Sequence, residues 1–340
     1  MADSRVKSWL YTTTAYPENL KLSETSVPAV PKPNHVLVQI HAAALNPVDI
    51  QLMNLPLNNI PGLNGPKIPA RDFAGTIIAT AEETGFEKGD EIMGISQDQD
   101  GSGGLTEVAH LNTQKACIIK KPSHMSWAQA ASLPLVWLTA RTTVERCVPY
   151  MQASSPADNR IVILGGSSST GLYTVKIARE RGWTILSSCS SRNADFVRSL
   201  GANEVVDYTS SPDAVTSAVK AFQPNAIIDC VGGTECIGLA PQYVTIVGDK
   251  TSRATMGGSF LYFTRPLMVW RWLLGRVGLG NSYECIILEQ RKEWLEECTK
   301  LEGEDQIILD SVFDFGRVTD AFERLNTSRA RGKVVVELKQ

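Results

Sequence analysis

The chain has 340 residues, 43% of them hydrophobic and 20% charged, with a net charge of −3, which is long enough for two domains with substantial cores. No basic run supplies the positive footprint that nucleic acid needs, so no nucleic-acid partner is expected. The N-terminus has an early acid and no apolar stretch, so no secretory signal is expected; 7 cysteines without a C-x-x-C spacing read as reduced thiols of a cytoplasmic protein.

Up to about Ser132 the chain reads as β-rich. Val36–Ile40, Gly75–Ala79 and Glu91–Gly94 are short strands bounded by turn residues. Asn46-Pro47 is a turn initiator between apolar runs. His35, His41, His110 and His124 show no pairing with Ser or Cys that suggests a catalytic triad. No Cys/His cluster has the spacing of a tetrahedral metal site, so no metal is expected.

The run Arg160 to Gly171 is the most informative in the chain. Ile161–Leu164 is a β-branched strand that feeds Gly165-Gly166-Ser167-Ser168-Ser169-Thr170-Gly171, and Leu172 to Gly182 then reads as a helix. Leu172, Val175 and Ala178 fall on one helical face and Gly182 sits at the C-terminal stop. Strand, small-residue turn and helix N-terminus together aim backbone N–H groups at an anion. A dinucleotide pyrophosphate is the anion such a turn takes. Written as G-x-G-x-x-G the turn runs from Gly166 to Gly171, with Ser168 at the middle glycine.

Trp183–Ser188 is the next strand, and at its end an NAD-binding chain carries an acid for the ribose 2′-hydroxyl. This chain carries Ser187, Ser188, Cys189, Ser190, Ser191 and Arg192 instead. Hydroxyls and a guanidinium suit a 2′-phosphate, which predicts NADPH over NADH. Asn193–Leu200 is a short helix closed by Gly201, and strands follow at Glu204–Tyr208, Ala226–Cys230 and Tyr243–Gly248. Apolar strands alternating with helices predict a doubly wound parallel sheet. Its ligands lie beyond the carboxyl ends of the strands, which nominates Cys230, Val231, Val247 and Gly248.

Met256 to Leu279 is apolar, yet Arg265, Pro266, Arg271 and Arg276 interrupt it short of the ~20 residues of an integral span. Packed core that also lines the substrate pocket is the expectation; a partner or lipid contact is the alternative. Gln306–Leu309, Val312-Phe313, a helix from Val318 to Leu325 and Lys333–Leu338 close the chain.

Together these motifs resemble the zinc-free, quinone-oxidoreductase-like medium-chain dehydrogenases/reductases. The resemblance runs nearly end to end, through His41–Asp49, Ile68–Gly75, Phe86–Gly94, Ala130–Leu135 with Thr139-Ala140, the glycine/serine turn, and Ala330–Val336. The serine-rich turn and Ser188–Asn193 are most similar to fungal members, including enoyl reductases that act beside polyketide synthases. The resemblance implies an α/β fold with a Rossmann nucleotide domain at 133–284. A β-rich, GroES-like catalytic domain would span 1–132 and 285–340. Zinc-dependent relatives carry a cysteine at the position of Asn46 and a histidine at that of Arg71.

By the same resemblance Asn46 lies beside the nicotinamide ribose, and Asp49 and Arg71 are the other groups of the former zinc-site region. Those two can equally pair as a structural replacement for the metal, with Asp72 in their charge network. Thr139 is placed near the nicotinamide, Tyr208 near the 2′-phosphate or adenine, and Lys333 within reach of a phosphate. Gly166, Ser167, Ser168, Ser169, Thr170, Gly171, Ser188, Ser191 and Arg192 complete the expected cofactor set. Without a Lewis acid the acceptor must already be activated, as a quinone or a carbonyl-conjugated alkene is. The alternative of another class is an NADPH-binding sensor or partner protein with little turnover. A small-molecule substrate is expected; a homodimer through a sheet edge and a synthase partner stay open.

Overall fold

The structure, a computed structural model, describes residues 4–14, 16–62, 65–96, 102–249 and 266–339. These divide into two units: the described residues up to Leu135 with those from Gln290 onward, and those from Val136 to Glu289. In the first unit β1 (Ser4–Leu10) and β2 (Lys21–Val27) pair as an antiparallel ribbon. The chain then lays down β3 (His35–Ala44), the short helix α1 (Pro47–Met53), β4 (Asp72–Thr80) and β5 (Glu91–Ser96). β6 (Val108–Asn112), β7 (Ala116–Lys120) and α2 (Trp127–Ser132) follow. A reciprocal cap starts α2: the Ser126 hydroxyl accepts from the Gln129 N–H, and the Gln129 side chain accepts from the Ser126 N–H.

From α3 (Pro134–Cys147) the second unit alternates strand and helix: β8 (Arg160–Leu164), α4 (Ser169–Glu180), β9 (Thr184–Cys189), α5 (Ala194–Leu200) and β10 (Glu204–Asp207). It continues with α6 (Ala214–Phe222), β11 (Ala226–Asp229), β12 (Gln242–Thr245), α7 (Pro266–Arg276) and β13 (Ser282–Cys285). All six strands are parallel, in the order β10-β9-β8-β11-β12-β13. That order is third, second, first, fourth, fifth, sixth, the doubly wound arrangement whose switch point lies between β8 and β11. β11 and β12 are buried on both faces, which is why they read as unbroken apolar runs.

One expectation is overturned here. The described part of the apolar stretch, 266–279, is not packed core: only Met268 of α7 is buried, while Leu267, Val269, Trp270, Trp272 and Leu273 are exposed. Hydropathy reports that a segment is apolar and not that anything covers it. Residues 256–265 of that stretch lie outside the described residues.

The chain finishes in the first unit with α8 (Lys292–Glu297), β14 (Leu309–Asp314), α9 (Val318–Asn326) and β15 (Lys333–Glu337). The resulting sheet runs β14-β15-β3-β4-β5-β7, with β6 also on β3. Its register matters below. β15 is antiparallel to β3 with Val335 opposite Ala44, and β3 is antiparallel to β4 with Ala44 opposite Asp72. Continued two residues, the first pairing sets Lys333 across from Asn46. Among the described residues no helix is long and apolar enough to cross a membrane.

Candidate functional site

In the second unit the glycine turn is built as a tight cradle. The Gly165 N–H donates to both the carbonyl and the hydroxyl of Ser188, and the Gly166 N–H donates to the same carbonyl. The end of β9 thus holds the turn by three contacts to one serine. A Cβ on Gly166 would stand 2.1 Å from the Ser187 Oγ, and one on Gly171 2.1 Å from the Gly165 carbonyl oxygen. Both positions therefore require glycine for close approach. Ser168, at the middle position of the fingerprint, is the N-cap of α4: its Oγ accepts from the Gly171 N–H at 3.0 Å. The serine substitution consequently supports the helix start rather than blocking it.

The structure brings the nominated Cys230 and Val231 to this turn, and Asn193 with them. Asn193 donates to the Ser167 Oγ at 3.3 Å. Cys230 N–H bonds the Leu164 carbonyl, and a Cβ on Gly165 would strike Val231, so the loop after β11 lies against the turn. Asp229 organises that loop. Fully buried, it accepts from the Val231 and Gly232 N–H groups at 3.0 and 2.8 Å and from the Thr245 hydroxyl at 3.1 Å. The Ile246 N–H donates to the Asp229 carbonyl and the Val247 N–H to the Thr245 hydroxyl, which ties the loop after β12 to the same point. Gly248 donates its N–H to the Cys285 thiol. Asp229 escaped the sequence reading, although an acid ending an otherwise apolar strand is a visible signal.

At the far end of β9, Arg192 is exposed and Tyr208 is 49% exposed, its N–H on the Cys189 carbonyl. Ser188 is buried beneath the turn, whereas Ser191 bonds the Asp207 carboxylate through both hydroxyl and N–H. Bonds from the Thr209 N–H and hydroxyl, with those from Ser191, hold Asp207 below the usual carboxylate range. Thr139 is buried within α3.

In the first unit the register of β15, β3 and β4 converges on a buried polar cluster. Asn46, Asp72 and Lys333 are each at most 2% exposed. Lys333 Nζ donates to Asn46 Oδ1 at 2.5 Å and to Asp72 Oδ2 at 2.9 Å, and Asn46 Nδ2 donates to that same carboxylate oxygen at 2.9 Å. Asp72 Oδ1 accepts from the Leu135 N–H at 2.8 Å. The structure thus engages Lys333 with Asn46 and Asp72, where the sequence reading nominated it for a phosphate. Its partners lie too far away in sequence for that reading to find them.

Asn46 also opens α1, and its N–H donates to Asp49 Oδ2 at 2.7 Å. Burial pushes the Asp49 carboxyl up to about 6, against the Asn46 N–H bond and the positive charge of Arg71, which pull it down. Arg71 is half-buried. Tyr11, at the end of β1, joins the group: burial and the charge of Asp49 push its phenol up to about 12, while Arg71 opposes them. Nothing in the sequence around Tyr11 marked it. Among the described residues no three His, Cys, Asp or Glu side chains come together as a metal site.

One unit is a doubly wound parallel sheet with a serine-capped glycine turn and the other a β-rich unit carrying a buried polar cluster, the make-up of a two-domain dehydrogenase/reductase. Residues 32–123 match the alcohol dehydrogenase GroES-like domain, and residues 200–336 match the zinc-binding dehydrogenase family. The chain is 27% identical to a chloroplast envelope quinone oxidoreductase homolog of Arabidopsis thaliana, over 93% of this chain and 94% of that protein. It is 28% identical to a trans-enoyl reductase of Aspergillus terreus, over 98% and 97%. Among solved structures it resembles the quinone oxidoreductase of Coxiella burnetii, with a TM-score of 0.78 at 24% identity, covering 99% of this chain and 100% of that one. The two family matches and these relatives together make the chain similar to the medium-chain dehydrogenases/reductases of the quinone-oxidoreductase-like kind.

Proposed function

We propose that the protein is an NADPH-dependent reductase that acts without zinc on an activated acceptor, a quinone or an alkene conjugated to a carbonyl. The observation that carries this reading is the Asn46–Asp72–Lys333 cluster. An amide and an ammonium stand there in direct hydrogen bond, with the Arg71 guanidinium nearby in sequence to Asp72. Neither cation can ligate zinc, and the Asn46 amide oxygen is already taken by Lys333. The donor set therefore does not fit the metal that one matched family is named for.

The residues that would hold NADPH fit it better. Gly166 and Gly171 leave room for close backbone approach, and the start of α4 carries the positive end of the helix dipole. Ser191, Arg192 and Tyr208 stand at the end of β9 and the start of the loop after β10, where a 2′-phosphate needs donors and positive charge. When bound, the cofactor supplies a hydride. The chain's own task is to stabilise the negative charge that gathers on the acceptor oxygen, and Arg71 is the group assigned to it. Asn46, its amide held at both ends by Lys333 and Asp72, fixes the start of α1 and through its N–H positions Asp49. Protonation at carbon, from a side chain or water, completes reduction of an alkene; Asp49, its carboxyl pushed up to about 6 by burial, is the acidic group of the set.

The test is NADPH oxidation by chelator-treated protein, with NADH in parallel, against one quinone, one enone and one enoyl thioester. Turnover with NADPH that survives chelation supports the reading, and the responding acceptor names the branch. Tight NADPH binding with no turnover on any acceptor would replace it with the sensor alternative.

A further inference from the structure

Three neighbouring side chains of the first unit carry polar atoms that the fold leaves unused. Tyr11 is 6% exposed, yet among the described residues its hydroxyl makes no hydrogen bond. A phenol packed into a core ordinarily finds a partner. The Tyr11 oxygen is not one of the sealed polar atoms of the interior either, so it opens on accessible space. Arg71 is half-buried, and among the described residues its guanidinium enters neither an ion pair nor a hydrogen bond. Asp49 accepts from the Asn46 N–H with Oδ2, and no described residue donates to its Oδ1. Asp49 and Arg71 therefore do not pair directly; they act on each other through space.

The fold holds the phenol in one place. The Tyr11 N–H donates to the Lys67 carbonyl at 3.0 Å and the Lys67 N–H to the Tyr11 carbonyl at 2.9 Å, which ties Tyr11 to the segment leading to Arg71. Its ring belongs to the same buried cluster as Ile50 and Met53, residues of α1 that are buried along with Asp49. Lys67 Nζ lies 5.9 Å from the ring centroid and is itself held by Asn58 Oδ1 at 3.1 Å. Burial, then the charge of Asp49, keep the phenol protonated, so it stays a donor at neutral pH. The described charges around it are the cations Lys67 and Arg71 and the anion Asp49, a balance that favours an anionic guest. Lys333 and Asp72 neutralise each other. A fixed hydroxyl and an unpaired guanidinium, already in place before charge develops, are what an oxyanion requires.

We propose that the Tyr11 hydroxyl and the Arg71 guanidinium are paired donors to the carbonyl oxygen of the acceptor, which makes Tyr11 a catalytic residue. The inference rests on the reductase reading above and adds Tyr11 to it. In an alkene conjugated to a carbonyl, hydride forms the new C–H bond at the far carbon. The alkene pair then shifts toward the carbonyl carbon and the carbonyl π pair settles on oxygen. Both donors keep their protons and tighten their hydrogen bonds to that oxygen.

The probe is para-nitrophenol, whose phenolate carries a delocalised charge on oxygen, as an enolate does, and absorbs apart from the neutral phenol. The full-length protein is titrated with it, and with para-nitroanisole, which has a similar outline and no ionisable oxygen. The unmodified protein should bind the phenolate in preference to the phenol. Tyr11→Phe and Arg71→Met should each lose about tenfold or more of that affinity and bind para-nitroanisole as before. Tyr11→Phe keeps the ring in the core, and thermal unfolding checks that both variants are folded. With an acceptor that turns over, Tyr11→Phe should lower kcat about tenfold or more and leave KM nearly unchanged. Undiminished phenolate affinity in folded Tyr11→Phe overturns the proposal, as does an equal loss for para-nitroanisole, which would assign Tyr11 to packing. Failure of the unmodified protein to bind the phenolate overturns it too. Absence of NADPH turnover on every acceptor would instead remove the reductase reading, while the phenolate titration, which needs no hydride, still decides whether the two donors hold an oxyanion.

Discussion

Lys333 Nζ and Asn46 Oδ1 stand 2.5 Å apart although the residues are separated by 287 positions. The bond decides which end of the Asn46 amide faces Asp72: with the oxygen on the ammonium, the Nδ2 must turn to the carboxylate. Replacing Lys333 with Met would leave Asp72 charged, buried and short of its cation. Such losses cost about 3–5 kcal/mol. Lys333→Met should lower the urea unfolding free energy by that order, and Lys333→Met/Asp72→Asn should recover a large part of it. A double variant no more stable than the single would show that the pair does not act as a unit.

Asp49 predicts a pH dependence of stability. Burial disfavours the anion and pushes its folded carboxyl up to about 6 from the ordinary 3.8. The folded state therefore holds the proton more tightly. That contribution is complete below about pH 4 and is lost as pH rises through about 6; the shift corresponds to about 3 kcal/mol. Asp49→Asn keeps an oxygen that can accept from the Asn46 N–H but removes the charge. Subtracting its unfolding free energies from those of the unmodified protein, between pH 4 and 7, should isolate a fall over that window. A flat difference would show that the carboxyl does not titrate there.

The strands of the nucleotide unit were readable because their buried β-branched runs end at turn residues, and the glycine turn because the small residues Gly165 to Gly171 precede an amphipathic helix. The Asn46 cluster was only half readable. Asn46, Asp49 and Arg71 could be named, yet Lys333 reaches Asn46 through the register of β15 on β3, a pairing no local pattern encodes. α7 failed for a different reason: Met268 and Trp270 are equally apolar in sequence, and only the fold decides that one is covered and the other bare. The Ser168 cap illustrates the reverse case, where an apparent defect in a fingerprint is a helix start.

The end of β9 predicts a cofactor preference. Arg192 is the exposed cation there, beside Ser191 and the loop that carries Tyr208. A charge-assisted bond to a 2′-phosphate is worth about 1.5–3 kcal/mol, and NADH has no such group. Arg192→Ala should therefore raise the Kd for NADPH by about tenfold or more and leave that for NADH nearly unchanged, as measured by fluorescence titration. Equal weakening of both would place Arg192 away from the 2′ position. Asp207 bears on the same preference, since its carboxylate occupies the Ser191 hydroxyl proton.

The glycine turn gives a test with a built-in rescue. A Cβ on Gly166 would meet the Ser187 Oγ at 2.1 Å, and that hydroxyl in turn donates to the Ile163 carbonyl at 2.8 Å, so it cannot swing aside without losing its bond. Gly166→Ala should weaken NADPH binding and lower stability by about 1–3 kcal/mol, the usual cost of overpacking. Ser187→Ala removes the obstructing oxygen while leaving its own Cβ 3.2 Å away. The pair Gly166→Ala/Ser187→Ala should therefore be more stable than Gly166→Ala alone, a non-additivity expected of touching residues. Gly171→Ala has no such partner, because its obstacle is the Gly165 carbonyl oxygen of the main chain. Thermal unfolding of the four variants measures the difference. If Ser187→Ala fails to rescue Gly166→Ala, the close approach of the turn to β9 does not limit what position 166 can hold.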